Sequence, residues 1–200
     1  MRDLTLPEAI AALAAGEAVA LPTDTVYGVG AALAHPAAVA RLFALKGRPT
    51  TVALPVVLGD TDQVATLAVT WSPQAATLAA ACWPGALTIV VPAAPALAAL
   101  VGGDASVGLR VPDDETVRAA ARAVGPLALT SANAHGAPPA TTAAAVRAAL
   151  SDGLAGVVDA GTRDGTVSTV VDLTGPRWRV RRAGAIPAAR LAELLGPGAD

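Results

Sequence analysis

PLALTSAN, Pro126 to Asn133, is the stretch on which the fold turns. Leu127 to Thr130 is a short apolar run between a proline and a polar triplet, the signature of a buried strand. Ser131, Ala132 and Asn133 follow at its carboxyl end, ahead of a loop containing Gly136 and Pro138-Pro139. In open α/β sheets that edge is where ligands bind. Taken alone, Ser131 and Asn133 are equally well explained as a turn that satisfies its own backbone. A second segment, ALKGRP (Ala44 to Pro49), changes the balance. It closes a helix expected from His35 to Leu45, where Val39, Leu42 and Phe43 recur at helical spacing and Gly47 follows the C-terminus. Lys46 and Arg48 then leave a rigid support as a point charge and a planar fork of donors, a combination that suits a polyphosphate. A lone lysine there would only answer the helix dipole. Together the two segments describe an anion-binding pocket.

Working outward, Thr5 to Ala15 reads as a helix with a Thr5/Glu8 capping box and Gly16 beyond its end. Further helices are expected at Pro73 to Ala81, Asp113 to Ala123, Thr142 to Leu150 and Pro187 to Leu195. Strands are expected at Ala18 to Leu21, Leu54 to Leu58, Leu87 to Val91, Val107 to Val111, Gly156 to Asp159, Thr169 to Leu173 and Trp178 to Val180. The spacing allows a doubly wound α/β sheet, but the late strands follow one another without helices, which implies antiparallel pairing. Two hundred residues suit one domain, 1–200, with its core from about 5 to 195 and a tail from Gly196 that frays.

The chain is 54% hydrophobic with a mean hydropathy of +0.54, which leaves little room for disorder. With three Trp, one Tyr and one Phe, packing must rest on Leu and Val. Apolar stretches break before bilayer-spanning length and Met1-Arg2-Asp3 opens no signal peptide, so a cytoplasmic location is expected. Cys82 has no partner cysteine, and two histidines, His35 and His135, make no zinc-type site. A net charge of −2 argues against coating nucleic acid by bulk charge. A local basic surface remains in RWRVRR (Arg177 to Arg182). Alternation puts Arg177, Arg179 and Arg181 on one, solvated face. It puts Arg182 with Trp178 and Val180 on the other, pointing inward, where an unpaired guanidinium is costly and an anion is expected.

PTDTVYGVGA (Pro22 to Ala31), ALKGRP, WPGALTIVV (Trp83 to Val91), GLRVPDD (Gly108 to Asp114), LTSANAHGAPPATT (Leu129 to Thr142), STVVDL (Ser168 to Leu173) and RRAGAI (Arg181 to Ile186) occur in this order. In these blocks, which span nearly the whole chain, it resembles the YrdC-like L-threonylcarbamoyladenylate synthases of tRNA modification. The resemblance implies a twisted mixed parallel and antiparallel sheet flanked by helices, with a concave, positively lined face. It implies a nucleotidyltransferase that joins L-threonine, bicarbonate and ATP into threonylcarbamoyl-adenylate with release of pyrophosphate. Mg2+ would arrive with ATP, and the product would pass to the tRNA threonylcarbamoylation machinery, with direct tRNA or RNA contact as a further expectation. Such chemistry asks for charge neutralisation and alignment, in keeping with a sequence that shows no nucleophile and base pair.

Carried over residue by residue, Lys46, Arg48, Ser131, Asn133 and Arg182 resemble the nucleotide contacts, Lys46 and Arg48 as the catalytic charge neutralisers. Arg110 resembles the partner of the threonine carboxylate. Thr23, Thr25 and Tyr27 alternate on an extended segment and so face the pocket together, at the threonine and bicarbonate end with Thr130 and Ser168. Asp24 serves equally as a turn cap or as a substrate contact. After KGRP the chain departs from the family's Asp-Asn-Pro-Leu stretch and following His, carrying Thr51, Val52, Ala53, Leu54 and then Val57. Long members of the family carry a further C-terminal domain over the site, so here the site is expected to close by other means, to close with partners, or to stay open. Two other readings are a non-catalytic relative binding RNA or nucleotide, which the Arg177, Arg179, Arg181 face favours, and a carbamoyl-transfer relative from hydrogenase maturation, which the absence of Cys-rich segments disfavours.

Overall fold

The computed structural model describes residues 1–67, 69–103, 105–133, 136–150 and 152–198. The loop position expected for His135 and the last two residues of the tail lie outside these. Val19–Leu21 (β1), Gly28–Ala32 (β2), Val56–Val57 (β3), Leu87–Pro92 (β4), Ser106–Arg110 (β5), Leu127–Ser131 (β6), Thr169–Asp172 (β7) and Arg179–Arg182 (β8) form one eight-stranded sheet in the order β1-β2-β6-β3-β5-β4-β7-β8. The pairs β3/β5 and β4/β7 are parallel and the others antiparallel, so the sheet is mixed, as expected.

The helices are Leu6–Ala14 (α1), Pro36–Lys46 (α2), Pro73–Cys82 (α3), Pro95–Leu100 (α4), Glu115–Val124 (α5), Ala143–Ala149 (α6) and Ala188–Leu195 (α7), with a 3-10 turn at Thr61–Thr66. Their starts are chemically fixed. Thr5 and Glu8 form the capping box of α1, Ser72 caps α3, and the Asp114 carboxylate accepts the Thr116 and Val117 amides at the head of α5. Gly47 ends α2 in the left-handed region at φ 58°, which turns Arg48 away from the helix axis. None of the helices is long and apolar enough to cross a membrane among the described residues.

Alternation along the strands sorts the core into two clusters. Val29, Val56, Ile89, Leu109, Ala128 and Val171 point to one face and pack with α2, α3, α6 and α7. Val19, Leu21, Val57, Leu127 and Leu129 point to the other and pack beneath α1 and α5. Those two helices cover the β1-β2-β6-β3 half of their face. Over β5, β4, β7 and β8 the same face turns Gly108, Arg110, Thr88, Val90 and Val170 into an open cavity.

Two expectations are corrected. Gly156 to Asp159 is not a strand of the sheet, because Val157 makes only isolated parallel bridges to Asp3 and Ala20. The strict alternation of RWRVRR also fails. Val180 pairs with Val171 but Arg182 pairs with Val170, a bulge that leaves Arg181 as the extra residue. Val180 packs with the helix-covered core, while Arg182 moves to the cavity face with Arg179. Arg182 is therefore exposed at the rim and not buried in the interior.

Candidate active site

The cavity measures about 360 Å3. Its described wall carries four guanidiniums (Arg48, Arg110, Arg181, Arg182), the hydroxyls of Thr23, Thr25, Thr88, Ser106, Thr130, Ser131 and Ser168, and no carboxylate. An open cavity with this lining selects anions.

The close of α2 meets the close of β6. The Lys46 ammonium donates to Thr130 Oγ1 at 3.3 Å, to Ser131 Oγ at 3.3 Å and to Asn133 Oδ1 at 3.3 Å, and also to the Ser131 carbonyl. The segments singled out in the sequence thus converge. Lys46 is buried, only 4% exposed, and with Asn133 it stands directly behind the wall residues Thr130 and Ser131. Burial, reinforced by the charge of Arg48, pushes the Lys46 amine down to about 8. Asn133 also donates to the Ala137 carbonyl at 2.6 Å. Arg48 reaches the wall and ties down the segment after it, through Nε to Val52 O at 2.8 Å and Nη2 to Ala53 O at 2.7 Å. The departing residues Val52, Ala53, Leu54 and Val57 therefore still line the cavity.

Thr23 to Val26 is a bend and not an extended segment. Thr23 Oγ1 accepts the Thr25 and Val26 amides at 3.2 Å each and lies 3.0 Å from Thr25 Oγ1. Thr23 and Thr25 face the cavity together as expected, but Tyr27 does not. The bend turns it into the core at 0% exposure, where its hydroxyl donates to Gly161 O at 2.8 Å and accepts the Ala160 amide at 2.9 Å. Arg110 is 7% exposed and finds its anion within the chain. Its Nη2 pairs with Asp24 Oδ1 at 2.5 Å, Nη1 donates to Thr25 Oγ1 at 3.1 Å and Nε to Gly85 O at 2.9 Å. Asp24 is thus a counter-ion to Arg110. An acid between two pocket threonines was its sequence signal, but the pairing spans 86 residues.

Ser168 completes the wall. Its hydroxyl lies 3.0 Å from Thr88 Oγ1 and accepts from Arg182 Nη2 at 2.9 Å, while Arg182 also donates to the Ser168 carbonyl. Gly184 permits this, because a Cβ there would come within 2.4 Å of the Val167 carbonyl oxygen. Thr88 was missed as a site residue, although alternation within WPGALTIVV places it opposite the buried Leu87 and Ile89.

Arg179 and Arg181, expected to face solvent, both turn to Asp172 Oδ2, at 2.9 and 2.8 Å. Burial pushes the Asp172 carboxyl up, but bonds from Thr174, Arg181 and Arg179 more than offset it and hold the group at about 2. The unfolded carboxyl titrates near ~4, so this stabilisation is complete above that pH and vanishes as pH falls through about 2. Asp172→Asn is expected to lower the melting temperature at pH 7 and to match the unsubstituted protein near pH 2, followed by thermal unfolding against pH.

A family model for Sua5, YciO and YrdC proteins, described as "Telomere recombination", matches residues 11–184. A Mycobacterium tuberculosis relative is 40% identical over 197 residues, covering 98% of this chain and 91% of its own. Bacillus subtilis threonylcarbamoyl-AMP synthase is 37% identical across 98% of this chain, which spans 58% of that protein. The Pyrococcus abyssi Sua5 structure complexed with L-threonine superposes with a TM-score of 0.90 at 31% identity, covering 98% of this chain and 59% of that one. Escherichia coli YciO shares the fold at a TM-score of 0.82 and 21% identity, over 93% of this chain and 92% of its own.

Proposed function

Because the chain belongs to the Sua5/YciO/YrdC family, we propose that it is a threonylcarbamoyl-AMP synthase acting on L-threonine, bicarbonate and ATP. The observation that carries this reading is the pairing of two different anion sites in one cavity: Lys46, Arg48, Thr130 and Ser131 form one, and Arg110 with the Thr23 and Thr25 hydroxyls forms the other. The first suits a triphosphate and the second an amino-acid carboxylate.

In the proposed reaction the threonine nitrogen bonds to the bicarbonate carbon, water leaves, and a carbamate forms. A carbamate oxygen then attacks the α-phosphorus, the bond to the β-phosphate oxygen breaks, and pyrophosphate departs. Arg48, Ser131 and Lys46 neutralise the triphosphate, with Asn133 orienting Lys46. Arg182, held against Ser168, lines the same cavity as Arg110 and would meet the charge that develops on the carbamate and α-phosphate. The wall is a set of donors that match phosphate oxygens, and the described residues hold no cluster of three metal-ligating side chains. Mg2+ would enter as part of the ATP substrate, held by phosphates and water. The product would pass to proteins that transfer the threonylcarbamoyl group to N6 of adenosine 37 in tRNA. Non-catalytic RNA binding is the weaker reading, because Arg179 and Arg181 already share Asp172 as counter-ion.

Incubation with ATP, bicarbonate and L-threonine should yield equal amounts of pyrophosphate and threonylcarbamoyl-adenylate. Failure to form the adenylate under conditions where ATP binds would overturn the assignment. A second consequence concerns protons. With its amine at about 8, Lys46 is largely neutral at pH 9, whereas a phosphate beside it favours the charged form. ATP binding at pH 9 should therefore take up protons. Calorimetry in buffers of different ionisation enthalpy would detect the uptake, and Lys46→Met should remove it.

A further inference from the structure

We propose that Asp24 sets the affinity for the amino acid: its carboxylate occupies Arg110 in the empty site and is displaced from that guanidinium by the carboxylate of the bound substrate. The inference rests on the reading that Arg110 receives that carboxylate.

Arg110 is fixed independently of Asp24. Nε is held by the Gly85 carbonyl and Nη1 by Thr25, so the guanidinium keeps its place when Nη2 changes partner. Asp24 sits differently. It lies in the bend that Thr23 organises by hydrogen bonds to the Thr25 and Val26 amides, and its side chain is 15% exposed against 9% for Arg110. It can therefore swing toward water without disturbing the core. A guanidinium has five N–H groups, and three are accounted for here, which leaves donors for an incoming carboxylate.

The charge balance gives the exchange its purpose. Without Asp24, Arg110 would be a buried cation in a cavity that Arg182 also lines, an unfavourable arrangement for the empty protein. Asp24 removes that penalty and in doing so competes with the ligand. A substrate carboxylate exchanges one close ion pair for another, so its net gain is small. Affinity then depends on what the rest of the amino acid contributes at Thr23 and Thr25. A simple anion of the cell, with a carboxylate but no such side chain, gains too little to displace Asp24.

Asp24→Asn separates the possibilities when L-threonine and its methyl ester are compared by calorimetry. The variant should bind L-threonine at least roughly tenfold more tightly, the scale of a relieved close charge pair, with the ester unchanged because it has no anionic group to offer. L-Threonine should also raise the melting temperature of the variant more than that of the unsubstituted protein. If both compounds weaken together, Asp24 merely orients Arg110 and the proposal fails. A measurement on the unsubstituted protein guards against a variant that folds poorly: the Asp24 carboxyl carbon signal, observed by 13C NMR, should shift on adding L-threonine and stay in place with the ester. An Asp24 signal unmoved by L-threonine would equally overturn the exchange. Arg110→Ala tests the premise by itself. L-Threonine bound by that variant as tightly as by the unsubstituted protein would sink the carboxylate reading of Arg110. Its loss there, with no gain in Asp24→Asn, would sink only the role of Asp24.

Discussion

Lys46→Ala is expected to reduce adenylate formation to background while the protein stays folded. The side chain is nearly fully buried and its ammonium gathers Thr130, Ser131 and Asn133, so the substitution removes one charge and releases three residues at the phosphate end. A lost charged contact costs about 1.5–3 kcal/mol in ATP binding, roughly ten- to a hundred-and-fifty-fold. Turnover should fall further, because the released hydroxyls of Thr130 and Ser131 line the cavity themselves. Lys46→Met keeps the volume and isolates the charge. Equilibrium binding of ATP and single-turnover assays would measure the two effects separately. Unchanged ATP affinity in both variants would remove Lys46 from the nucleotide site.

The second large effect is expected at Arg110. Arg110→Ala should abolish measurable L-threonine binding and weaken ATP binding far less, because Arg110 and Lys46 hold separate sets of partners. Truncating Arg110 also removes its bonds to Gly85, Thr25 and Asp24, a loss that should appear as lower thermal stability. Asp24→Asn in the same background should recover part of that stability without recovering threonine binding. Within the unsubstituted protein, threonine should be preferred over serine by roughly 1–3 kcal/mol for its methyl group, and valine should bind worse than either. Equal competition by valine would show that the Thr23 and Thr25 hydroxyls do not read the substrate hydroxyl.

Where apolar runs were bounded by prolines, glycines or caps, the sequence placed the elements well. The starts of α1, α3 and α6 fall at Thr5, Ser72 and Thr142, each with a side-chain cap. What it hid has physical causes. Gly28–Ala32 is buried at every position between two partner strands, so it has no alternation to detect. Tyr27 left the site because Thr23 bends the chain by accepting backbone amides, an event that period-two reasoning does not contain. Arg182 stayed at the site for a reason opposite to the one expected: the bulge at Arg181 reverses its face. The Asp24–Arg110 pair joins residues far apart in the chain, and only the closed sheet brings them together. The convergence of Lys46 with Ser131 and Asn133 was legible because each lies at the end of a regular element, where direction is predictable.

The same bulge bears on how copies of the protein behave toward one another. β8 is the outermost strand, and an outer strand offers free amides and carbonyls to any passing chain. Here that margin is four residues long, irregular at Arg181 and built around three arginines, so a second copy would bring like charge against like charge in a ladder that does not match. The opposite margin, β1, is already occupied by the segment around Val157, through Ala20 N to Gly156 O and Val158 N to Ala20 O at 3.0 Å each. Neither side of the sheet is a template for strand addition, so a chain this rich in alanine and valine is guarded against edge-to-edge aggregation.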